Sequence, residues 1–563
     1  MIDYIVEDFR IDQLGSFYGK DKTVFRVFAP EHDTLFLILN GQRFNMHKDH
    51  CTFETEVQGD LECGRYHYET SNGITFKDPF AYLSMDGESI ILDKDKFMKD
   101  RVVPEPFNDI VIYETSVRDF SSSDSLPTEN HRKFLALGEG GLRKYDYFML
   151  GLDYLDNIGI THLQLLPVMD FDDDKTEYNW GYNPVAFNHV KKAYVKDTDD
   201  PYAYVNEFRC AVNRLHERNI RVVMDVVFNH VYDVKTFDIE KMIPGHFLRR
   251  KPDGSLAAGT MCGSEIRSED VFVRAYLIEM ARRYVELFDI DGLRMDLMGI
   301  MDIETVNRMN EELVKIKNDF IVYGEGWNMG DALDERKRAS IDNAQKVRDV
   351  GMFNDMFRET VIDYVIGNIH NPDITRALSA SPDYLDYKQA VNYVECHDGP
   401  TFFDRLGRDG VDDSDEFLKR KCKLAMALVL LSRGTPFIHA GQEFMGTKHG
   451  VGNSYNSGDD INMVDWDLRI THNDMCDYLK DLISLRREHD VFRKDDVRIG
   501  FSWHYECLIY RLDDIMIIIN PDDHDHDYDD GNLYEILMDI NGRCSEHMQH
   551  IKVPAHSVSV CKM

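Results

Sequence analysis

The feature that most restricts the fold of this chain is a set of four short apolar runs that each end in acidic, amide or imidazole side chains. Continuous apolar runs are typical of buried parallel strands, and the carboxyl ends of the strands of a closed barrel meet at one pocket. The pattern therefore predicts an α/β fold, a (β/α)8 barrel, with a site formed by residues at the strand ends. The four runs are VVMDVVFNH (residues 222–230), DGLRMDLMGI (291–300), IVYGEGW (321–327) and VNYVECHDG (391–399).

The second run places Arg294 and Asp296 two residues apart on a predicted strand. Because a strand repeats every two residues, both side chains point to the same side of the sheet. A guanidinium beside a carboxylate favours the ionised carboxylate, which is the form that a nucleophile needs. A single Arg-x-Asp is more often a structural ion pair, but the three neighbouring polar strand ends favour a catalytic role.

Helical periodicity fills the intervals between the predicted strands. Apolar residues recur at steps of three and four before two of the runs, and alternating strands and helices indicate a parallel sheet with right-handed crossovers. The residues are Val205, Phe208, Val212 and Leu215 in one segment and Val273, Leu277, Met280, Tyr284 and Phe288 in the other.

The four runs resemble the four sequence regions of the α-amylase superfamily of glycoside hydrolases. The resemblance implies that Asp296 is the nucleophile, Glu325 the general acid/base and Asp398 the carboxylate that stabilises the transition state. Retaining glycosidases use such a pair of carboxyl groups, whose pKa values must differ for the two roles to coexist. The resemblance further implies a set of substrate-binding residues, namely Asp225, Asn229, His230, Arg294 and His397.

A further motif, YNWGYNP at residues 178–184, is similar to the YNWGYDP motif of type I pullulanases, which cut α-1,6 links. Within it Tyr182 matches the aromatic platform on which a glucose ring stacks. Trp327, two residues after Glu325, is a further predicted substrate-binding residue, and an apolar wall at this place would raise the pKa of the acid. Segments 110–120 and 435–444 resemble the first and eighth barrel strands, so the resemblance covers nearly the whole chain.

The resemblance implies a retaining hydrolase of α-1,6 branch links in glycogen, limit dextrins or pullulan. Three alternatives stay open: a glucan branching enzyme or other glucanotransferase, a neopullulanase-type α-1,4 hydrolase, and an inactive glycan-binding scaffold. Asn183, Ser264 and Gly399 differ from the residues usual in pullulanases. None of them is a catalytic group. They therefore leave the substrate preference of the enzyme less well defined than the type of reaction it catalyses.

Strand patterns outside the barrel predict two flanking β-sandwiches. We expect an N-terminal sandwich at residues 1–105 that resembles a carbohydrate-binding module, the catalytic barrel at 106–482, and a C-terminal antiparallel sandwich at 483–563. All four tryptophans lie outside the N-terminal segment, which favours packing against the barrel over sugar binding as its task.

Composition restricts the partners of this chain. Its net charge of −36 disfavours nucleic acid, because phosphate backbones would be repelled. No apolar run reaches the roughly 18 residues that a membrane span needs, and the start of the chain has no apolar core of a signal peptide. Ten scattered cysteines suit a reducing compartment, so we expect a cytoplasmic enzyme.

We predict no cofactor and no metal; the acidic, histidine-containing stretch 521–532 lacks the spacing of a calcium loop. Oligomeric state stays open.

Overall fold

The computed structural model describes residues 10–173, 176–330, 332–380, 385–408 and 415–563. Near the amino terminus, ten short strands form two antiparallel sheets, with strand orders β1-β2-β6-β5 and β4-β3-β7-β10-β9 and β8 added to β7. Alternating residues of the strands point between the sheets, where the ring of Phe25 lies 5.0 Å from that of Tyr66, edge to face. The strands are β1 (Gly15–Phe17), β2 (Lys22–Phe28), β3 (Leu35–Leu39), β4 (Gln42–Asn45), β5 (His47–Asp49), β6 (Thr52–Gln58), β7 (Arg65–Thr70), β8 (Thr75–Phe76), β9 (Ser84–Met85) and β10 (Glu88–Ile90).

The central part of the chain contains a closed barrel of eight parallel strands in the order β11-β14-β15-β18-β19-β20-β21-β22. Four short strands form two hairpins outside it, β12–β13 and β16–β17. The closed parallel sheet is the predicted (β/α)8 fold. The strands are β11 (Ile112–Thr115), β12 (Arg143–Lys144), β13 (Phe148–Met149), β14 (His162–Leu165), β15 (Arg221–Val226), β16 (His230–Val231), β17 (Ser264–Glu265), β18 (Gly292–Met295), β19 (Ile321–Gly324), β20 (Gly351–Phe353), β21 (Ala390–Asn392) and β22 (Thr435–His439).

Helices connect the barrel strands and cover the outside of the sheet. The two helices predicted from apolar spacing are α4 and α6, and α6 begins at an Asp270 side chain that accepts hydrogen bonds from the first-turn amides of Phe272 and Val273. The helices are α1 (Val117–Ser121), α2 (Phe134–Leu137), α3 (Gly151–Ile158), α4 (Ala203–His216), α5 (Asp238–Met242), α6 (Val271–Phe288), α7 (Ile303–Ile316), α8 (Asp355–Ile366), α9 (Ile374–Leu378), α10 (Phe402–Arg408), α11 (Asp415–Leu431), α12 (Asp459–Asn462), α13 (Trp466–Thr471) and α14 (Asn473–Glu488).

The carboxyl-terminal part is a six-stranded antiparallel sheet with the order β23-β24-β25-β30-β27-β28, together with a two-stranded sheet of β26 and β29. One face of the large sheet packs on the small sheet and the other on the barrel, which is why every residue of β25 is buried. The strands are β23 (Ile499–His504), β24 (Cys507–Leu512), β25 (Ile515–Asn520), β26 (His526–Tyr528), β27 (Tyr534–Asp539), β28 (Gly542–Met548), β29 (Ile551–Val553) and β30 (Ser557–Lys562).

β20 is a barrel strand that the sequence did not indicate. β20 has three residues, which is too short for a period of two to stand out, and the polar Asn354 and Asp355 follow it. Its neighbours in the barrel hold it in place, since Tyr323 pairs with Gly351 and Phe353 pairs with Val391. In the described part of the chain, no helix has the length and apolar character that a membrane crossing needs.

Candidate active site

The predicted site residues lie at the carboxyl ends of neighbouring barrel strands. Asp225 and Arg294 are the second-to-last residues of β15 and β18. Asp296 and Glu325 directly follow β18 and β19, and Asp398 lies in the loop after β21. Parallel pairing sets their relative heights, because Asp225 is the register partner of Arg294 across β15 and β18. The barrel therefore brings groups from distant parts of the chain to one end, as the sequence predicted.

Arg294 lies at the centre of three carboxylates. Its Nη1 is 3.0 Å from Oδ2 of Asp225 and 3.1 Å from Oδ1 of Asp296, and its Nη2 donates to Oε1 of Glu325. Burial opposes the charged guanidinium, but Asp225 and Glu325 outweigh it and raise the pKa of Arg294 well above its usual value. The side chain is therefore a fixed positive charge that holds two potential catalytic carboxyl groups close together.

A second donor orients Asp296. The amide nitrogen of Asn229 donates to Oδ2 of Asp296 at 2.7 Å and to its main-chain oxygen at 2.8 Å, while Oδ1 of Asn229 lies 2.6 Å from Nδ1 of His230. Burial lowers the pKa of His230, which favours a neutral ring. Asp296 thus accepts a hydrogen bond on each side-chain oxygen, from Arg294 and from Asn229, and these two contacts fix its orientation.

Glu325 and Asp225 lie in environments that favour the protonated carboxyl group. Burial raises the pKa of Glu325, and the negative charge of Asp296 raises it further against the effect of Arg294. The main-chain amide of Leu297 donates to Oε2 of Glu325 at 3.0 Å and holds the carboxyl group in place. Burial likewise raises the pKa of Asp225 to about 7, although its hydrogen bond from Tyr182 Oη at 2.7 Å works in the opposite direction.

An aromatic platform borders the carboxylates. The Tyr182 ring stacks on the His397 ring with centroids 5.1 Å apart at 18°, and the Trp180 ring lies at 88° to the His397 ring with centroids 4.9 Å apart. Stacked apolar faces of this kind suit the C–H face of a sugar ring.

Glu114, at the end of β11, is a site residue that sequence reasoning missed. Its Oε2 accepts the main-chain N–H of His397 at 2.7 Å, and its Oε1 lies 2.8 Å from Nδ1 of the same residue. Although burial opposes both charges, the pair lowers the pKa of Glu114 to about 2 and raises the pKa of His397. The available signal was an acid at the end of an apolar run in segment 110–120, the same pattern as in the other four strands.

Lys448 is a second residue that the sequence did not single out. This buried side chain donates through Nζ to the main-chain oxygens of His397 and Gly399, which flank Asp398, with the second distance 3.3 Å. Burial lowers the pKa of Lys448. These two hydrogen bonds hold the loop that contains Asp398 in place.

A pocket of about 300 Å³ opens over these groups. Asp398 is exposed at its border, and Trp327 forms part of its wall. Among the predicted residues, Arg294, Glu325, Trp327, His397 and Asp398 line the pocket directly, while Tyr182, Asp225, Asn229, His230 and Asp296 join them through the contacts given above. The lining also includes residues without a predicted role, namely Glu114, Phe353, Asp355, Arg358, Tyr393 and Cys396.

The geometry supports acid-assisted attack at a carbon between two oxygen substituents. The carboxyl groups of Asp296 and Glu325 contact the same guanidinium, and burial together with the charge of Asp296 raises the pKa of Glu325. Within the described ranges, no group of three or more histidine, cysteine or acidic side chains is arranged to hold a metal ion.

This chain is similar to known proteins over most of its length. The alpha-amylase family model, described as the catalytic domain of alpha amylase, matches residues 149–243 and 264–507. Pullulanase of Bacillus subtilis (strain 168) is 34% identical over 94% of this chain and 81% of that protein. The glycogen debranching enzyme of Escherichia fergusonii is 25% identical over 80% of this chain and 73% of its own length. The chain spans about two fifths of the pullulanases of Streptococcus pneumoniae that it matches.

A solved structure extends the likeness to the fold. The crystal structure of type I pullulanase from Bacillus subtilis, complexed with maltose, has a TM-score of 0.93 and 32% identity, covering 99% of this chain and 86% of that chain. The family, the barrel fold and the class of enzyme predicted from the sequence are confirmed. The chain therefore belongs to the alpha-amylase family, as a glycoside hydrolase of the pullulanase type.

Proposed function

We propose that this protein hydrolyses α-1,6 branch links of α-glucans with retention of configuration. The observation that carries the proposal is the bridge from Arg294 to both Asp296 and Glu325, which places side by side two carboxyl groups, one of which, Glu325, has a raised pKa. Retaining glycosidases need two carboxyl groups roughly 5 Å apart, and one guanidinium between them imposes a separation of that order.

In the first step, Asp296 attacks C1 of the glucose on the Tyr182–His397 platform while Glu325 protonates the leaving O6. The C1–O6 bond breaks, an ester to Asp296 forms, and the proton of Glu325 ends on the departing glucan. Asp398 stabilises the oxocarbenium-like transition state from the border of the pocket.

In the second step, Glu325 removes a proton from water, which attacks C1 and releases Asp296. The change of role has an electrostatic cause. The charge of Asp296 contributes to the raised pKa of Glu325, and ester formation removes that charge. The pKa of Glu325 therefore falls in the intermediate, and the residue becomes a base when a base is needed.

Support for the α-1,6 link comes from the YNWGYNP motif and from the names of the relatives, which are pullulanases and a glycogen debranching enzyme. The corresponding substrates are pullulan, glycogen and limit dextrins. The runner-up functions use the same carboxylates: a branching enzyme passes the glucosyl ester to a sugar hydroxyl, and a neopullulanase-type enzyme cuts α-1,4 links.

Product analysis on pullulan tests the proposal. Maltotriose as main product supports α-1,6 cleavage; panose or isopanose contradicts it, and new branches without new reducing ends indicate a transferase. The Asp296→Asn variant should lose at least a thousandfold of the turnover while still binding glucan. Asp319→Asn, a change to a carboxylate paired with Arg221 away from the pocket, is the matched control. A scaffold would be insensitive to the Asp296 change.

We also propose the domain division at residues 1–105, 106–482 and 483–563 and a cytoplasmic location. The sheets described above support a division into three parts, because each antiparallel set is built from consecutive strands, while the proposed boundary at residue 482 lies within α14. The scattered cysteines support the location.

A further inference from the structure

The hairpin of β12 and β13 exposes two tyrosines that the catalytic scheme does not use. Tyr145 and Tyr147 lie in the turn between the two strands, and they are 67% and 69% exposed. The ring of Tyr147 lies beside that of Phe148, with centroids 4.4 Å apart. In the described part of the chain, neither tyrosine hydroxyl group makes a hydrogen bond to the protein. The hairpin therefore presents aromatic rings and free hydroxyl groups to a ligand.

The backbone of this turn has a conformation that a tyrosine rarely adopts. Tyr145 and Asp146 have φ angles of 51° and 65°, in the left-handed region. Glycine and asparagine are the usual residues there, and a bulky side chain in this conformation is an outlier. Because the tyrosine is exposed, core packing does not account for the outlier, which therefore points to a function of the side chain itself.

Contacts with α13 hold the hairpin in place. The ammonium group of Lys144 contacts the carboxylate of Asp467, and the guanidinium carbon of Arg469 lies 5.3 Å from the centroid of the Phe148 ring. These contacts join the loop after β11 to the segment after β22. Because the rings stand on an anchored hairpin, a ligand that stacks on them orders little of the protein when it binds.

The hairpin lies at the catalytic end of the barrel. It ends at Met149, and α3 begins at Gly151 and leads back to β14. A helix between two parallel strands runs opposite to them, so the start of α3 lies at the carboxyl ends of the strands. The proposed catalytic carboxyl groups follow β18, β19 and β21 at the same end. One long ligand can therefore contact both the pocket and the hairpin.

The chemistry of the hairpin favours a chain of sugars. Tyrosine rings pack on the apolar C–H faces of glucose while their hydroxyl groups bind sugar hydroxyls, and the net charge of −36 disfavours polyanions. A pocket of about 300 Å³ encloses only a few glucose units, so the outer chains of a branched glucan extend beyond it. A second contact on the same molecule is intramolecular, and it raises the affinity for long substrates alone.

We infer that the hairpin of β12 and β13, through Tyr145 and Tyr147, is a non-catalytic binding site for the outer chains of branched α-glucans. The inference rests on the proposed function, since that function supplies the identity of the polymer. The gain in affinity is confined to substrates long enough to reach the hairpin and the pocket together.

Two substrates with the same α-1,6 link test the inference. Amylopectin has long outer chains, whereas maltotriosyl-α-1,6-maltotriose extends little beyond the pocket. For the double variant Tyr145→Ala/Tyr147→Ala, the ratio of kcat/KM on amylopectin to kcat/KM on the hexasaccharide should fall about fivefold or more, through a higher KM for amylopectin. Tyr505→Ala is the matched control, because it removes a tyrosine that is 77% exposed in the turn between β23 and β24; its ratio should stay within twofold of the wild type.

Binding measured with the Asp296→Asn variant gives a readout that needs no hydrolysis. In this background the double tyrosine change should weaken binding to amylopectin, followed by affinity electrophoresis, about fivefold and leave the binding of maltotriose unchanged. An unchanged ratio, or equal losses on both substrates, would overturn the inference. Wild-type dimers that the double variant abolishes would also overturn it, since the hairpin would then bind a second copy of the chain. A wild type that leaves the hexasaccharide uncut would overturn the α-1,6 activity, while the difference in amylopectin binding would still decide the role of the hairpin.

Discussion

Nδ1 of His397 lies 2.8 Å from Oε1 of Glu114, and this buried contact joins the first barrel strand to the loop after the seventh. Asp398 lies in the same loop, and the Tyr182 ring stacks on the ring of His397. One ion pair therefore sets the distance between the sugar platform and a proposed catalytic carboxylate. Such a pair is costly to break, because either partner alone is an uncompensated buried charge.

Glu114→Gln should destabilise the enzyme in a pH-dependent way. The folded protein holds the pKa of Glu114 at about 2, below the ordinary 4.5. This depressed pKa contributes stability above about 4.5, which is lost as the pH falls from there toward 2. The difference in melting temperature between wild type and Glu114→Gln, measured by calorimetry, should therefore shrink as the pH falls from about 4.5 toward 3. A difference that grows over this range would contradict the ion-pair assignment.

Glu325→Gln should separate the two chemical steps. Pullulan hydrolysis should fall by about a hundredfold to ten-thousandfold, since the leaving oxygen receives no proton. With α-maltotriosyl fluoride, whose leaving group needs no proton, we expect a burst of fluoride close to the enzyme concentration, followed by slow turnover because no base activates water. Rapid-quench measurement of fluoride checks this. Equal impairment of the burst and of pullulan hydrolysis would assign the acid role elsewhere.

The pH profile should report the proton on Glu325. Burial and the charge of Asp296 raise its pKa, and the acid form is needed for attack. The kcat/KM on pullulan should therefore fall as the pH rises through this raised pKa, so that the alkaline limb lies above the ordinary carboxyl range. In Glu325→Gln, the kcat/KM for α-maltotriosyl fluoride should lack that limb; its persistence would point to another group.

Lys448→Met should loosen the loop of Asp398. Removal of the ammonium leaves the oxygens of His397 and Gly399 without their donor in a buried place, a change of roughly 1–3 kcal/mol. We expect kcat on pullulan to drop about tenfold with little change of KM, because the loop acts on the transition state. Lys448→Arg should recover part of the rate. Lys196→Met, at a lysine paired with Asn130 on the surface, should behave as wild type.

Tyr182 should act through its ring more than through its hydroxyl group. Tyr182→Phe keeps the stack on His397 and removes the 2.7 Å hydrogen bond to Asp225, and the loss of one such bond corresponds to about fivefold in kcat/KM. Tyr182→Ala removes both and should be clearly worse, chiefly through weaker binding. Steady-state kinetics and glucan binding by the Asp296→Asn background distinguish the two effects. A phenylalanine variant as poor as the alanine variant would make the hydroxyl group the main contributor.

The barrel and most of the candidate site could be predicted from the sequence. Runs such as VVMDVVFNH show both a buried strand and the polar residues at its end, because the apolar residues of the strand and these polar residues are neighbours in the sequence. Family, fold and enzyme class follow from them and are confirmed, whereas the domain boundaries and the roles of individual residues stay predictions.

Other polar residues near the pocket could be identified only from the folded barrel. Glu114, Asp355 and Lys448 are separated from Asp296 by many residues in the sequence. Although Glu114 and Asp355 stand at the ends of strands, no short stretch of sequence shows that they lie near the same pocket. They become neighbours of the pocket because the barrel closes, β11 against β22, and because β20 is inserted between β19 and β21. Closure is a property of the whole sheet, so contacts across it depend on register and loop paths that no short stretch of sequence contains.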